Sequence, residues 1–123
     1  MSNVYFFDSY AIIELIKGNP NYNFVREDII VTSTMNLAEV YYSLLLSDRK
    51  ETADLILKKL NLEFLDINSE IAIESASFRY KNKKLKLSYV DCIGYVLALN
   101  NNLIFLTGDK EFEHFENVKF VKA

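Results

Sequence analysis

Short, uninterrupted apolar runs alternate with helix-period stripes along this chain, and each run stops at a polar residue. A run with no polar face must be covered on both sides. Parallel strands sandwiched between helices meet that demand, whereas a half-solvated antiparallel sheet would show strict alternation. Val-Tyr-Phe-Phe at 4–7 is the first such run, and Asp8 ends it. Ile12, Ile13, Leu15 and Ile16 then form a stripe over 9–17 that Lys17, Gly18 and Pro20 close as a helix. A second strand is read over 29–32, with Ser33 or Thr34 capping a long helix through Leu46. A helix over 50–60 leads to a strand over 63–65, and Asn68 caps a helix to about Tyr80. Ser88 opens another helix that ends at Asn100 or Asn101. The last strands fall at 103–107 and 118–121, with a helical turn over 111–115 between them. The expected architecture is α/β: one domain over residues 1–123, with a central parallel β-sheet of about five strands flanked by helices.

Composition narrows the function classes. Half of the residues are hydrophobic, enough for one core, but no run reaches the roughly 18 to 20 apolar residues of a membrane span. The apolar stretch after Met1 lacks a basic leader and carries Asp8 and Glu14, unlike a secretory signal. One cysteine, Cys92, excludes an internal disulfide, and one histidine, His114, leaves too few ligands for a zinc site of the usual type. A cytoplasmic protein without a membrane segment is the expectation. The net charge of -3 argues weakly against bulk adhesion to nucleic acid, yet without four particular carboxylates it would be +1.

Those four are Asp8, Glu39, Asp91 and Asp109. Asp8 directly follows the first strand, and Asp109 follows the 103–107 strand by one residue, so both lie at carboxyl ends of strands, where open α/β sheets bind ligands. Glu39 falls about a turn and a half into the second helix, and Asp91 in the first turn of the Ser88 helix, near the same edge. A carboxylate in such a setting is costly without a partner, and a cation between the four would satisfy them. Capping accounts for some of them singly: Asp8 as an N-cap, Asp91 three residues after Ser88 in a capping box, Asp109 at the turn that follows it. Glu39 lies beyond any capping position on a helix whose neighbours are mostly apolar.

Taken in order, these segments resemble the PIN domain, and especially its small toxin nucleases of the VapC type. The strand ending in Asp8-Ser9 is similar to the family's first motif, Asn36-Leu37-Ala38-Glu39-Val40 to its second, Leu87-Ser88-Tyr89-Val90-Asp91-Cys92-Ile93 with Ala98 to its third, and Leu106-Thr107-Gly108-Asp109-Lys110-Glu111-Phe112 to its fourth. Ser9 stands where Thr is frequent, and Cys92 and Gly94 where Ala or an aliphatic residue is commoner. The resemblance implies a metal-dependent ribonuclease in which Asp8, Glu39, Asp91 and Asp109 hold Mg²⁺ or Mn²⁺, with Glu39 a ligand or the group that orients the attacking water. Such hard cations favour oxygen ligands. Ser9 and Thr107 are candidates for hydrogen bonds that aim the carboxylates, although each has a simpler role open to it, at a helix cap or a strand end.

The resemblance also implies an RNA substrate, a homodimer, and a cognate antitoxin protein whose segment can carry Arg into the acidic pocket. Lys81, Lys83, Lys84 and Lys86 crowd the segment ahead of the Ser88 helix and are candidate phosphate contacts. Arg79 beside them is expected only to complement a helix dipole. The tyrosines, Tyr5, Tyr10, Tyr41, Tyr42, Tyr80, Tyr89 and Tyr95 among them, offer faces for bases, but most are expected in the core or at an interface. The stripe of Tyr10, Ile13 and Ile16 with Tyr22 and Phe24 is assigned to the core. Two alternatives stay open: a non-catalytic PIN-like RNA-binding or scaffold module, and a Mg²⁺-dependent phosphoacceptor or phosphatase on a flavodoxin-like fold. The second wants paired acids after the first strand or an Asp-x-Asp motif, and Asp8-Ser9-Tyr10 supplies neither.

Overall fold

The computed structural model describes residues 4–123. Five strands, β1 (Tyr5–Phe7), β2 (Ile30–Thr32), β3 (Leu62–Phe64), β4 (Ile104–Thr107) and β5 (Val118–Phe120), form one sheet in the order β3-β2-β1-β4-β5. Every neighbouring pair is parallel. The helices are α1 (Ser9–Ile16), α2 (Thr34–Ser47), α3 (Lys50–Lys59), α4 (Ser69–Lys81) and α5 (Tyr89–Asn100). Each strand and helix expected from the sequence is present, with ends shifted by one or two residues. The caps are Ser33, whose hydroxyl accepts from the Asn36 amide, Asn68, which accepts from the Ile71 amide, and Ser88. Two short 3-10 turns lie at Pro20–Val25 and Lys110–Phe112. The first has no apolar periodicity to announce it; Asn19 caps it and Pro20 starts it.

Side-chain alternation across the strands explains why the apolar runs are unbroken. Phe6, Val31 and Phe105 face α4 and α5, where they pack with Ile71, Tyr95 and Phe112. Their strand neighbours Phe7, Ile30 and Leu106 point the other way, into a second core with Ile12, Val40, Ala53 and Tyr22. Both faces are therefore buried, and no strand position of the central pair can be polar without cost. Gly94 sits in mid-helix, normally a loss of about 1 kcal/mol against Ala. A Cβ there would lie 3.0 Å from the rings of both Phe6 and Phe105, so glycine lets α5 approach the sheet.

One core assignment fails. Tyr22 is fully buried and Ile13 and Ile16 are partly covered, but Phe24 is 47 % exposed. The 3-10 turn points Tyr22 and Val25 inward and leaves Phe24 outside, edge-on to Tyr5. Among the tyrosines, Tyr95 is buried, whereas Tyr42, Tyr80 and Tyr89 face solvent. No helix of the described residues is long and apolar enough to cross a membrane.

Candidate metal centre

The strand order reverses between β1 and β4: β2 and β3 extend the sheet on one side of β1, and the chain then crosses to add β4 and β5 on the other. Such a switch point opens a crevice at the carboxyl ends of the two strands. Phe7 pairs with Leu106, and the Asp8 amide donates to the Leu106 carbonyl at 3.0 Å, so Asp8 and Thr107 sit side by side at the crevice.

Asp8 is only 3 % exposed. Its Oδ1 accepts from the Ser9 amide at 2.9 Å and its Oδ2 from the Thr107 hydroxyl at 2.7 Å. Thr107 Oγ1 in turn accepts from the Asp109 amide at 3.1 Å, tying the start of the last acidic segment to the first. Ser9 is the first residue of α1 rather than its cap, which is Asp8. The Ser9 hydroxyl donates to Glu39 Oε1 at 2.6 Å and accepts from Asn36 Nδ2 at 2.9 Å, and Asn36 Oδ1 accepts from the Ser33 hydroxyl at 2.6 Å. Among the described residues no buried side-chain nitrogen or oxygen lacks a hydrogen-bond partner. The carboxylates are thus held by a satisfied polar scaffold that reaches across three elements, α1, α2 and β4.

Each acid has a second duty. Asp91 completes the capping box of α5, accepting from the Ser88 amide at 2.9 Å while Ser88 Oγ accepts from its own amide at 3.1 Å. Asp109 Oδ1 accepts from the Glu111 amide at 3.0 Å and caps the second 3-10 turn. Capping and site membership are compatible, because a cap uses one lone pair of one oxygen and leaves the rest of the carboxylate free. Glu39 departs from the expectation of an acid set among apolar neighbours: it lies on the solvent side of α2, next to an equally exposed Ala38.

Electrostatics shows the acids acting on one another. Burial pushes the Asp8 carboxyl up from 3.8 to about 7, against the lowering effect of the Thr107 hydrogen bond, and the charges of Asp91 and Glu39 raise it further. Asp91 is also raised, by burial first, with hydrogen bonds at Ser88 opposing and the charges of Asp109 and Glu39 adding. Among the described residues, however, no three carboxylate, histidine or cysteine side chains are gathered tightly enough to enclose a metal ion. Asp91 and Glu39 thus act on Asp8, and Asp109 and Glu39 on Asp91, without the acids forming a closed cage. The donor chemistry still suits a hard divalent cation: carboxylates, hydroxyls and an amide line the crevice, and Cys92 is turned into the core. Mg²⁺ in particular keeps several waters and needs only one or two carboxylates.

The PIN domain model matches residues 5–118. This chain belongs to the PIN domain family. Its fold is shared with several solved PIN-type toxins. A toxin–antitoxin complex from Klebsiella pneumoniae superposes with a TM-score of 0.74 at 21% identity, over 95% of this chain and 96% of that one. The DNA-bound VapBC complex of Salmonella typhimurium gives 0.77 at 21% identity, over 98% of both chains. A sarcin-ricin loop cleaving VapC toxin of Mycobacterium tuberculosis gives 0.76 at 13% identity, over 97% and 98%. Comparison with curated proteins by sequence gave no match.

Within this PIN domain the basic segment makes no ion pair with the acids among the described residues. Lys81, Lys83, Lys84 and Lys86 are all exposed at the end of α4 and in the turn after it, and none bonds to an acidic member of the cluster. Two participants escaped sequence reasoning. Asn36 is buried at the centre of the Ser33–Ser9 network, and the available signal was its place on the stripe Asn36, Val40, Leu44, where a polar residue on a core face demands partners. Tyr10 lies against Gly108, where any Cβ would run into its ring and come within 2.8 Å of the Val121 carbonyl. Only the glycine in Thr107-Gly108-Asp109 hinted at so close an approach.

Proposed function

We propose that this PIN domain is a divalent-metal-dependent endoribonuclease, the toxin of a toxin–antitoxin pair acting in the cytoplasm. The observation that carries the reading is Asp8: a carboxyl nearly out of contact with water, raised to about 7, with the charges of Asp91 and Glu39 adding to the strain. No lysine or arginine forms an ion pair with the cluster among the described residues. Asn or Ser at this N-cap would accept the same Ser9 amide bond without burying a charge. Asp8, Asp91 and Asp109 would hold Mg²⁺ or Mn²⁺ directly or through water, and Glu39 would bind the ion or orient the attacking water. A bound ion of this kind supplies an activated water and stabilises the charge of an in-line phosphodiester displacement. The bond from Thr107 would restrain the rotamer of Asp8, and that from Ser9 the rotamer of Glu39, ahead of RNA binding.

An antitoxin partner is supported by the VapBC complexes that share the fold, and a homodimer by the apolar residues Tyr42, Leu45 and Leu46 that α2 leaves in solvent. The deciding experiment incubates purified protein with RNA in Mg²⁺ or Mn²⁺ and in excess EDTA. Cleavage should require the metal and fall by roughly 100-fold or more in Asp8→Asn and Asp91→Asn. Undiminished cleavage in EDTA would refute the reading.

A further inference from the structure

A hollow of about 280 Å³ lies between the last turn of α4 and the first residue of α5. Leu85 and Leu87 give it an apolar floor, and Arg79, Tyr80, Lys83 and Tyr89 form its walls. The walls are arranged as two matched pairs. The Arg79 guanidinium lies 4.5 Å from the centre of the Tyr89 ring, and Lys83 Nζ lies 4.5 Å from the centre of the Tyr80 ring. Both rings are mostly in solvent, Tyr80 at 69 % and Tyr89 at 56 %. One exposed tyrosine needs no explanation. Two on one hollow, each with a cation over its face, are the components with which proteins hold single-stranded nucleic acid: stacking surfaces for bases and charges for the backbone.

The cations are not committed elsewhere. Ion pairs among the described residues join Lys17 to Glu14 and Lys50 to Asp54, so Arg79 and Lys83 have no carboxylate partner in a chain where acids outnumber bases by 17 to 14. Arg79 uses only Nε locally, donating to the Leu87 carbonyl at 2.9 Å, which leaves its two terminal nitrogens for a ligand. That bond also fixes where the hollow sits. Leu87 precedes Ser88, whose capping box holds Asp91. Tyr89 and Asp91 occupy the same first turn of α5 two residues apart, so the hollow and the acid open on different sides of one helix end. The volume is near the lower limit of small-ligand pockets and suits one base rather than a duplex.

We infer that this hollow is a subsite for one unpaired nucleotide of the RNA: the base stacks on Tyr89 and Tyr80, and its phosphate is held by Lys83 and the free end of Arg79. The assignment rests on the ribonuclease reading and adds to it a requirement for unpaired RNA at this position. It changes the role of Arg79 from a helix-end charge to a substrate contact.

The test measures binding by fluorescence anisotropy in Mg²⁺, using Asp8→Asn as the parent so that nothing is cut. The probes are a short labelled oligouridylate and an abasic phosphodiester oligomer of equal length. Tyr89→Ala should weaken oligouridylate binding roughly 5- to 150-fold while leaving the abasic oligomer unchanged, and Tyr89→Phe should bind like the parent. Lys83→Ala should weaken both probes and reduce the salt slope by about 1. Should Tyr89→Ala fail to fold, Tyr80→Ala provides the same comparison from the other wall. Equal binding by the parent, Tyr89→Ala and Lys83→Ala would overturn the subsite, as would an equal loss on both probes in Tyr89→Ala. If wild-type protein cuts RNA and these variants bind like the parent, the subsite alone is wrong. If wild-type protein neither binds nor cuts RNA, the ribonuclease reading fails and takes the subsite with it.

Discussion

Asp8→Asn, studied without metal, separates a site acid from a structural cap. The buried carboxyl rises from 3.8 to about 7, which makes the ionised folded form less stable than the protonated one by about 4 kcal/mol once both states have titrated. Because the folded value is the higher one, its contribution is complete below the ordinary 3.8 and drains away as pH rises to about 7. Between about pH 5 and about pH 8 the wild type should lose roughly 2 to 3 kcal/mol from Asp8, or about 8 to 12 °C in melting temperature. Asparagine keeps an acceptor for the Ser9 amide and can turn its amide to the Thr107 hydroxyl, at a cost of about 1 kcal/mol. The variant should therefore exceed the wild type by about 3 kcal/mol near pH 8 and lie near parity at about pH 5. Asp91, raised for the same reason, steepens the slope of both proteins, so their difference reports Asp8. Urea unfolding followed by circular dichroism in EDTA gives the two curves. A difference that stays flat with pH, or a variant less stable than wild type near pH 8, would refute the assignment of a strained, desolvated carboxylate.

Adding millimolar Mg²⁺ or Mn²⁺ should nearly close that gap near pH 8, since an ion that binds only the folded wild type stabilises it by mass action, about 2.7 kcal/mol at a hundredfold excess over Kd, and differential scanning fluorimetry checks this directly. Gly108→Ala should cost about 1 to 3 kcal/mol, because the new Cβ has to displace the Tyr10 ring or the Val121 backbone, and cleavage should fall with it as Asp109 shifts; melting and RNA cleavage are measured together. Asn36→Ala leaves the Ser33 and Ser9 hydroxyls short of a buried partner and should destabilise by about 1 to 3 kcal/mol, read by urea titration. Expression in cells should arrest growth, Asp109→Ala should relieve the arrest at matched expression, and equal arrest by both would count against the toxin.

Asp8 and Asp109 were legible because each follows an apolar strand, where the alternation of Phe6 with Phe7 or Phe105 with Leu106 leaves no room for charge by chance, whereas Glu39, on the exposed side of α2, is not the acid among apolar neighbours that the sequence suggested. The sheet was legible for the same reason, since strands buried on both faces announce themselves as unbroken runs. Whether Asp8, Asp91 and Asp109 cap or serve a site was not, because each does the former with one oxygen and keeps the other for its neighbours, and no spacing rule distinguishes the two uses. The outward turn of Phe24 depends on the 3-10 geometry of Pro20–Val25, which carries no periodicity. The bond from Arg79 to the Leu87 carbonyl joins a helix end to a loop eight residues on, a contact set by packing rather than by local pattern.

The placement of β1 in the middle of the sheet also governs when the crevice can exist. Asp8 is made well before the Thr107 hydroxyl that aims it, which comes 99 residues later. A nascent chain that has reached β3 carries Asp8 and Glu39 but neither Asp91 nor Asp109, and one edge of β1 stays unpaired until residues 104–107 arrive. Parallel pairings this remote in sequence close slowly, on the millisecond-to-second scale of folds dominated by non-local contacts. The acidic crevice therefore stays incomplete, by topology alone, until residues 104–107 dock beside β1.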